Sequence, residues 1–351
     1  MINHWDQLKG HLEQRSLFQR SIQQGRLSHA YMLVGPAGIG KLQFARLLAM
    51  SVFCREHDLH ELKVCGECRG CRSFQANTWP DYSEIGLPDG KQIIPISAIV
   101  GDDDKRGRSG LCYDLSMAPQ ASERRVAVIN DAGQMSTEGA NALLKTLEEP
   151  PADSLILLIC DNADTLLPTI RSRCQAIRFF PLPEPDVKDI LLAQELVESE
   201  SDAASVANLC EGSLQTAMQL LNPELRKLKS AVARGIVQLE QMQPLALAGT
   251  IVSSLEEISS STAEQRQNAQ WLLRFVADAI RSRLKGLASG DLSDPLSQRM
   301  AVKDGLDLLG PMLDRTITAS AQIAGSSPVK LVMEALFDDL ARFCRTAVKR
   351  R

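Results

Sequence analysis

The sequence has few aromatic residues, no long apolar run and no surplus of positive charge. Phe, Trp and Tyr make up 4% of the 351 residues. No apolar stretch is long enough to cross a bilayer, which excludes a protein held in the membrane by a spanning helix. The net charge is −4, so bulk electrostatics do not favour nucleic-acid binding, although a local basic face stays open.

A secretion signal is also missing from the sequence. Residues 1–6 lack the basic stretch followed by an apolar stretch that marks export. The nine cysteines are therefore expected to be reduced thiols or metal ligands, not a disulfide framework. These features predict a cytoplasmic protein, and the chain is long enough for two or three domains.

The chain is organised around a glycine-rich stretch. Residues 35–42 read Gly-Pro-Ala-Gly-Ile-Gly-Lys-Leu, between an apolar run of strand type at 30–34 and a helical pattern at 43–52. This context predicts a phosphate-binding loop, in which backbone N–H groups, the helix N-terminus and Lys41 meet phosphate oxygens. Ser or Thr normally ends the motif and binds Mg²⁺, but Leu42 has no oxygen to offer. The candidate nucleotide-binding residues here are Gly35, Gly38, Gly40, Lys41 and Leu42.

A second nucleotide motif lies at the end of the apolar run at residues 125–129. ATPases of this architecture carry two acids there, one that helps to hold Mg²⁺ and one that polarises the attacking water. This chain has Asn130 and Asp131 followed by Ala132, so either alignment leaves one acid missing. Together with Leu42, this loss predicts a nucleotide loop that does not hydrolyse ATP.

Four cysteines predict a metal site. Cys65, Cys68 and Cys71 follow the pattern C-x₂-C-x₂-C, and Cys54 at the end of the preceding helix is the candidate fourth ligand. Four thiolates form a closed tetrahedral zinc site, which would hold together a short insertion without a core of its own. An iron–sulfur cluster is the alternative, although no Cys-Pro follows at the ferredoxin spacing. Two nearby histidines could replace the fourth thiolate: His57 and His60.

Alternating strand and helix patterns predict an α/β domain with a parallel sheet over residues 1–180. Near-continuous apolar runs at 125–129 and 154–160 are typical of strands buried on both faces. The first 30 residues are predicted to be helical, and their spaced leucines are predicted to share one buried face. These leucines are Leu8, Leu12 and Leu17.

Prolines 181, 183 and 185 mark the predicted end of the α/β domain. Beyond them the pattern is helical to the end of the chain. We expect a small helical domain over 181–228 and a helical C-terminal domain over 229–351.

Three motifs carry a resemblance to a known family. In order along the chain they are residues 35–41, the block Ala-Asn-Ala-Leu-Leu-Lys-Thr-Leu-Glu-Glu-Pro-Pro at 140–151, and Ser172-Arg173-Cys174. In this order and spacing the chain resembles bacterial clamp-loader subunits of the AAA+ superfamily, strongly over about 1–220 and weakly beyond. The resemblance implies a P-loop parallel-sheet domain with a zinc-binding insertion near 54–71, a helical lid, and a helical collar that holds a pentamer together.

Two kinds of subunit in that family share these motifs: a motor that hydrolyses ATP, and a stator whose nucleotide chemistry has decayed. Gln215 stands in a stretch similar to the lid motif in which the family places a phosphate-sensing arginine. With Leu42 and the missing acid, Gln215 is a third loss, and together they favour the stator. The glycines and Lys41 remain, so binding of ATP or ADP without hydrolysis stays open.

Arg173 is a weak signal by itself, and alone it reads as a surface salt bridge. Within the family it implies an arginine finger placed in trans in the ATP site of a neighbouring motor subunit, where a guanidinium stabilises transition-state charge. The implied partners are motor and delta subunits in a hetero-pentamer of bacterial DNA polymerase III. Through that complex the chain would meet the sliding clamp and primer-template DNA, with no membrane involved.

Three other functions stay open. The first is the ATP-hydrolysing motor subunit of the same clamp loader, which ATP turnover by the isolated chain would reveal. The second is a P-loop nucleotide kinase or signalling NTPase, which needs an acceptor-substrate pocket for which the sequence offers no residues. The third is a zinc-dependent nucleic-acid binder, which the acidic balance disfavours.

Overall fold

The structure, a computed structural model, describes residues 4–88, 91, 93–237, 243–259, 261–289, 305–325 and 327–349. The chain forms two compact units, residues 1–219 and residues 220–351. The first contains the sheet and the second is helical.

A five-stranded parallel sheet is the centre of the first unit. Its strands are β1 (Ala30–Val34), β2 (Tyr82–Ile85), β3 (Arg125–Ile129), β4 (Ser154–Cys160) and β5 (Gln175–Arg178). The order across the sheet is β2-β3-β4-β1-β5, with Val34 of β1 in register with Cys160 of β4. Strands β3 and β4 are buried along their whole length, as their apolar sequences require. The predicted α/β class with a parallel sheet is confirmed.

Helices cover both faces of this sheet and enclose two apolar clusters. One cluster contains Phe18, Phe44 and Phe53. The ring of Phe18 packs at a tilt against that of Phe44, and the ring of Phe53 packs in the same way against Trp79. The other contains Leu143, Leu147 and the second face of the strands. The helices of this unit are α1 (Leu12–Gln23), α2 (Lys41–Phe53), α3 (Arg69–Gln75), α4 (Ile96–Val100), α5 (Leu111–Ser116), α6 (Thr137–Glu148), α7 (Pro168–Arg171), α8 (Glu184–Ala193), α9 (Glu200–Leu209) and α10 (Leu214–Leu220).

The buried face predicted for the N-terminal helix is wrong. Leu12 and Leu17 are 69% and 41% exposed, whereas Phe18 and Ile22 are buried. The reason is that Leu8 lies before α1, where it packs on the apolar cluster by itself, and that α1 turns a stripe other than Leu12 and Leu17 towards the sheet. Its inward stripe therefore follows the spacing of four residues through Phe18 and Ile22.

The second unit consists of helices packed on one another. They are α11 (Pro223–Val237), α12 (Pro244–Ile258), α13 (Thr262–Ser289), α14 (Gly305–Ala324) and α15 (Val329–Lys349). Helix α13 packs against α14, and both α12 and α14 pack against α15. The predicted lid segment 181–228 contains α8, α9, α10 and the start of α11, and its separation as a domain stays a prediction. Among the helices of the described ranges, none combines the length and apolar character that crossing a bilayer demands.

Candidate functional site

The glycine-rich loop lies at the carboxyl end of β1, and α2 begins at its lysine. Gly38 and Gly40 have φ angles of 74° and 95°, which is the left-handed region that glycine enters without strain. A strand that ends in such a turn and feeds directly into a helix aims backbone N–H groups at one point. The loop thus has the local geometry that its motif predicts.

Lys41 is buried, only 5% exposed, and its ammonium group is held by its own chain. Nζ donates to the carbonyl oxygen of Gly35, to that of Pro36 at 2.6 Å and to Oδ1 of Asp161 at 3.0 Å. All three N–H bonds of the ammonium group thus have partners. A phosphate could bind Lys41 only by replacing some of these acceptors.

Asp161 is a residue of this site that the sequence analysis missed. It follows β4, the neighbour of β1, so the carboxyl ends of the two strands bring it beside the loop. The sequence signal for Asp161 is its position as a polar residue directly after a fully buried strand. The strand order was needed to tell that this polar residue meets Lys41.

Asn130 and Asp131 lie at the same edge of the sheet, after β3. Nδ2 of Asn130 donates to Oδ2 of Asp131 at 3.0 Å. Burial raises the pKa of Asp131, the charge of Asp161 raises it further, and Lys41 acts in the opposite direction. The side chain of Leu42 packs against the apolar cluster. The edge therefore carries acids and a lysine, but no hydroxyl at the position where Mg²⁺ is usually bound.

The start of α10 packs directly on the phosphate loop. The backbone N–H of Leu214 donates to the carbonyl oxygen of Gly38 at 2.7 Å, and Oγ of Ser213 donates to that of Ala37 at 3.0 Å. A methyl group added at Gly38 would lie 2.5 Å from Cβ of Gln215. The structure thus brings Gln215 against the loop, so closely that position 38 has no room for a side chain.

The four predicted metal ligands come together in the insertion. The sulfur atoms of Cys54, Cys65, Cys68 and Cys71 all lie within 4.8 Å of one another. Cys54 caps the end of α2 and Cys68 caps the start of α3, so two helix ends position the cluster. The Cys65 sulfur lies 3.7 Å from that of Cys54 and 3.8 Å from that of Cys71. Tetrahedral zinc with bonds of about 2.3 Å requires sulfur atoms about 3.8 Å apart, so the cluster fits zinc.

Backbone N–H groups inside this cluster stabilise thiolates. The N–H groups of Cys68 and Cys71 donate to the sulfurs of Cys65 and Cys68 at 3.4 and 3.5 Å. Burial acts to raise the pKa of Cys68, but hydrogen bonds from Arg55 and Cys71 outweigh it and lower the pKa to about 7. Burial raises the pKa of Cys65 and of Cys71. A bound cation would offset the free-energy cost of ionising these buried thiols.

Arg173 lies at the surface just after α7, and its side chain is 34% exposed. The partners of its guanidinium group come from α6 and α7. One nitrogen lies 2.7 Å from Oε1 of Glu148, and the other donates to the carbonyl oxygen of Thr169 at 2.8 Å. The group is therefore ordered and still reachable from outside the chain.

The parallel sheet, the phosphate loop after β1 and the helical segment against that loop define a P-loop domain of the AAA+ class. Residues 10–183 match the family described as DNA polymerase III, delta subunit. The delta-prime subunit of Bacillus subtilis is 34% identical over 218 residues, which cover 62% of this chain and 61% of that protein. That of Pseudomonas aeruginosa is 32% identical over 231 residues, or 66% of this chain and 67% of that protein. The chain belongs to the family of DNA polymerase III delta-prime subunits.

A third relative, the delta-prime subunit of Escherichia coli, is 28% identical over 261 residues, which cover 74% of this chain and 72% of that protein. The matched stretch thus spans between 61% and 72% of these relatives' own lengths. Subunits named tau and gamma/tau also match, over smaller shares of their own length.

Proposed function

We propose that this chain is a non-hydrolysing stator subunit of the DNA polymerase III clamp loader. In this role it is not an enzyme by itself. It donates Arg173 to the ATP site of a neighbouring motor subunit, so that a sliding clamp is loaded on primed DNA during replication. The observation that carries the proposal is a phosphate loop that has Leu42 in place of the hydroxyl residue that binds Mg²⁺, in a chain whose Arg173 is partly exposed.

The state of the loop supports the absence of hydrolysis. Lys41 is bonded to two loop carbonyls and to Asp161, and Leu42 packs into the apolar cluster. Hydrolysis needs Mg²⁺ bridging the phosphates and a group that orients the attacking water. The loop lacks the hydroxyl for the first, and Ala132 stands where the second acid would follow. ATP or ADP would bind only if Lys41 exchanged its acceptors for phosphate oxygens.

The surroundings of Arg173 support a role in trans. A guanidinium group can stabilise the charge that develops on a transferred phosphoryl group, which accelerates hydrolysis by several orders of magnitude. Arg173 is held by α6 and α7 rather than by the phosphate loop of its own chain. This placement leaves it able to serve a nucleotide bound elsewhere.

Zinc in this proposal has a structural role. Cys54, Cys65, Cys68 and Cys71 would hold the ion and so tie the end of α2 to the start of α3. The proposed partners are motor and delta subunits in a hetero-pentamer, with the helices of the second unit as the collar. Any contact with primer-template DNA would be made to the phosphate backbone and not to bases.

The motor subunit of the same loader is the second candidate. The tau and gamma/tau matches and the retained loop glycines favour it. Turnover of ATP with Mg²⁺ by the purified chain, free of other subunits, would decide for the motor. We expect no turnover above background, and nucleotide analysis of the same sample would show whether ATP or ADP is retained.

The arginine finger is tested in the assembled loader with clamp and primed DNA. Replacing Arg173 by Ala should slow hydrolysis at the interface that it serves by about a thousandfold or more. Total ATP turnover by the loader should fall by the fraction of hydrolysis that takes place at this interface. Arg171→Ala is the matched control, since Arg171 is two residues away and pairs with Asp164 of its own chain. Unchanged ATP turnover with Arg173→Ala would contradict the assignment of Arg173 as an arginine finger.

A further inference from the structure

The carboxylate that holds Arg173 comes from a distant part of the sequence. Glu148 is the last residue of α6, and its Oε1 lies 2.7 Å from one terminal nitrogen of Arg173. The other terminal nitrogen donates to the carbonyl oxygen of Thr169 at 2.8 Å and to Oγ of Ser172 at 3.3 Å. Three acceptors thus fix one orientation of a long and flexible side chain.

The contacts that hold the guanidinium group of Arg173 leave some of its N–H donors available. It carries five N–H donors, of which these contacts occupy three. Among the described residues, no acceptor meets the Nε–H or the second N–H of the nitrogen that contacts Glu148, so these two donors remain for another acceptor. An arginine that still has two free donors and an exposed side chain can meet phosphate oxygens without giving up the partners that orient it.

The position of the pair argues against a role in stability. The side chains of Glu148 and Arg173 are 50% and 34% exposed, and pairs this exposed contribute little to folding because water and salt screen them. Their effect on geometry is larger. A group that is oriented before its partner arrives does not lose rotational freedom at the reaction step. The C-terminal end of α6, with its partial negative charge, favours the cation at the same place.

We propose that Glu148 is a positioning residue for Arg173: its carboxylate holds the guanidinium in the orientation that meets the neighbouring subunit's nucleotide. This inference rests on the proposed function of Arg173. The effect of Glu148 is therefore on the rate at saturating ATP and not on the affinity of the motor subunit for ATP.

The test measures ATP turnover by the complete clamp loader with clamp and primed DNA. The part of this turnover that is lost on Arg173→Ala is the Arg173-dependent turnover, and the variants are compared by it. Glu148→Ala should lower it about tenfold to a hundredfold, since a misplacement of about 1 Å can have an effect of that size. Glu148→Gln should lower it less, because the amide oxygen still accepts a hydrogen bond. The KM for ATP should not change in either variant.

Two comparisons make the test specific. Glu149→Gln, at the exposed glutamate next in the chain, alters charge equally and should leave turnover unchanged. Glu148→Ala added to Arg173→Ala should give no further loss, because Glu148 acts only through that arginine. Thermal unfolding of each purified variant checks that the fold is retained, and Glu148→Gln keeps the shape of the side chain if the alanine variant is unstable.

The outcomes separate the two proposals. If Arg173→Ala has no effect, the finger assignment fails, and the role of Glu148 fails with it. If Arg173→Ala lowers turnover and Glu148→Ala does not, only the positioning role is overturned. A rise in turnover with Glu148→Ala would also overturn it, since the carboxylate would then restrain the arginine from reaching the nucleotide.

Discussion

At the scale of single residues, the glycine-rich loop has its lysine bonded within its own chain. Lys41 meets carbonyl oxygens and the carboxylate of Asp161, all within its own chain. Asp131 lies nearby with a φ angle of 53° and a pKa raised by burial and by Asp161. Burial and the charge of Asp161 both disfavour the ionised form of Asp131, so this carboxylate lowers stability at neutral pH.

Replacing Asp131 by Asn should therefore stabilise the protein at pH 7. The folded chain binds the Asp131 proton more tightly than the unfolded chain, so its contribution to stability is present at low pH and is lost as pH rises through the raised pKa. Asn has no charge to bury and tolerates the positive φ. We expect the unfolding midpoint at pH 7 to rise by a few degrees at most. The gain should vanish as pH falls towards the ordinary value of 3.8.

Asp153→Asn is the matched control for this prediction. Asp153 also has a positive φ, 57°, but it is exposed. If both variants gain the same stability at every pH, the backbone preference of Asn explains the gain and the buried charge does not.

At the scale of elements, the cysteine insertion links the end of α2 to the start of α3, two helices that also pack through Phe53 and Phe74. Cys54 ends α2, Cys68 begins α3, and the residues between them form only a single short 3₁₀ turn, Leu59–Glu61. The insertion buries Leu62 and Val64 in the first apolar cluster, but it has almost no regular secondary structure, so we expect its backbone to depend on the metal.

Removing the metal should loosen the insertion before the sheet. The purified chain should contain about one zinc ion, and Cys68→Ser should lose most of it because a serine hydroxyl is a poor zinc ligand. We expect the unfolding midpoint to fall by several degrees and proteolysis within residues 54–75 to become faster. Metal analysis distinguishes zinc from iron. Cys112→Ser, outside the cluster, should keep the metal; a zinc content that survives Cys68→Ser would contradict the four-thiolate site.

At the scale of the whole molecule, the chain divides into two compact units near residue 219. Hydrogen bonds hold the segment after β5 together and link its last helix to the phosphate loop. Leu182 N–H donates to the carbonyl oxygen of Gly212 at 3.1 Å, and the start of α10 bonds to the phosphate loop. Helices α8 to α10 therefore belong to the same compact unit as the strands.

A fragment of residues 1–222 should fold alone and unfold in one cooperative thermal transition. It contains both apolar clusters and the four cysteines, and it ends two residues after α10. A fragment of residues 1–183 lacks α8 to α10 and should be less stable by about 2–4 kcal/mol, since it loses three hydrogen bonds of about 1 kcal/mol each. Denaturant unfolding followed by circular dichroism measures this difference. Equal stability of the two fragments would contradict this prediction and would support residue 180 as the boundary between independent parts.

The sequence alone was sufficient to predict the features that depend only on residues close together in the chain. The glycine loop, the buried runs of β3 and β4 and the spacing of three cysteines each lie within a few residues of chain. Local spacing determines backbone conformation and the face that a side chain occupies, so such motifs can be interpreted without a fold. The same motifs were enough to indicate the family.

Only the tertiary structure decided which distant groups meet. Asp161 reaches Lys41 across 120 positions, Ser213 reaches Ala37 across 176, and Glu148 pairs with Arg173 from another helix. The order β2-β3-β4-β1-β5 decides the first of these contacts, because it makes the ends of β4 and β1 neighbours, and the packing of helices on the sheet decides the other two. The exposure of Leu12 has the same origin: a helix buries the stripe that faces its sheet, and the sheet's position is a property of the whole fold.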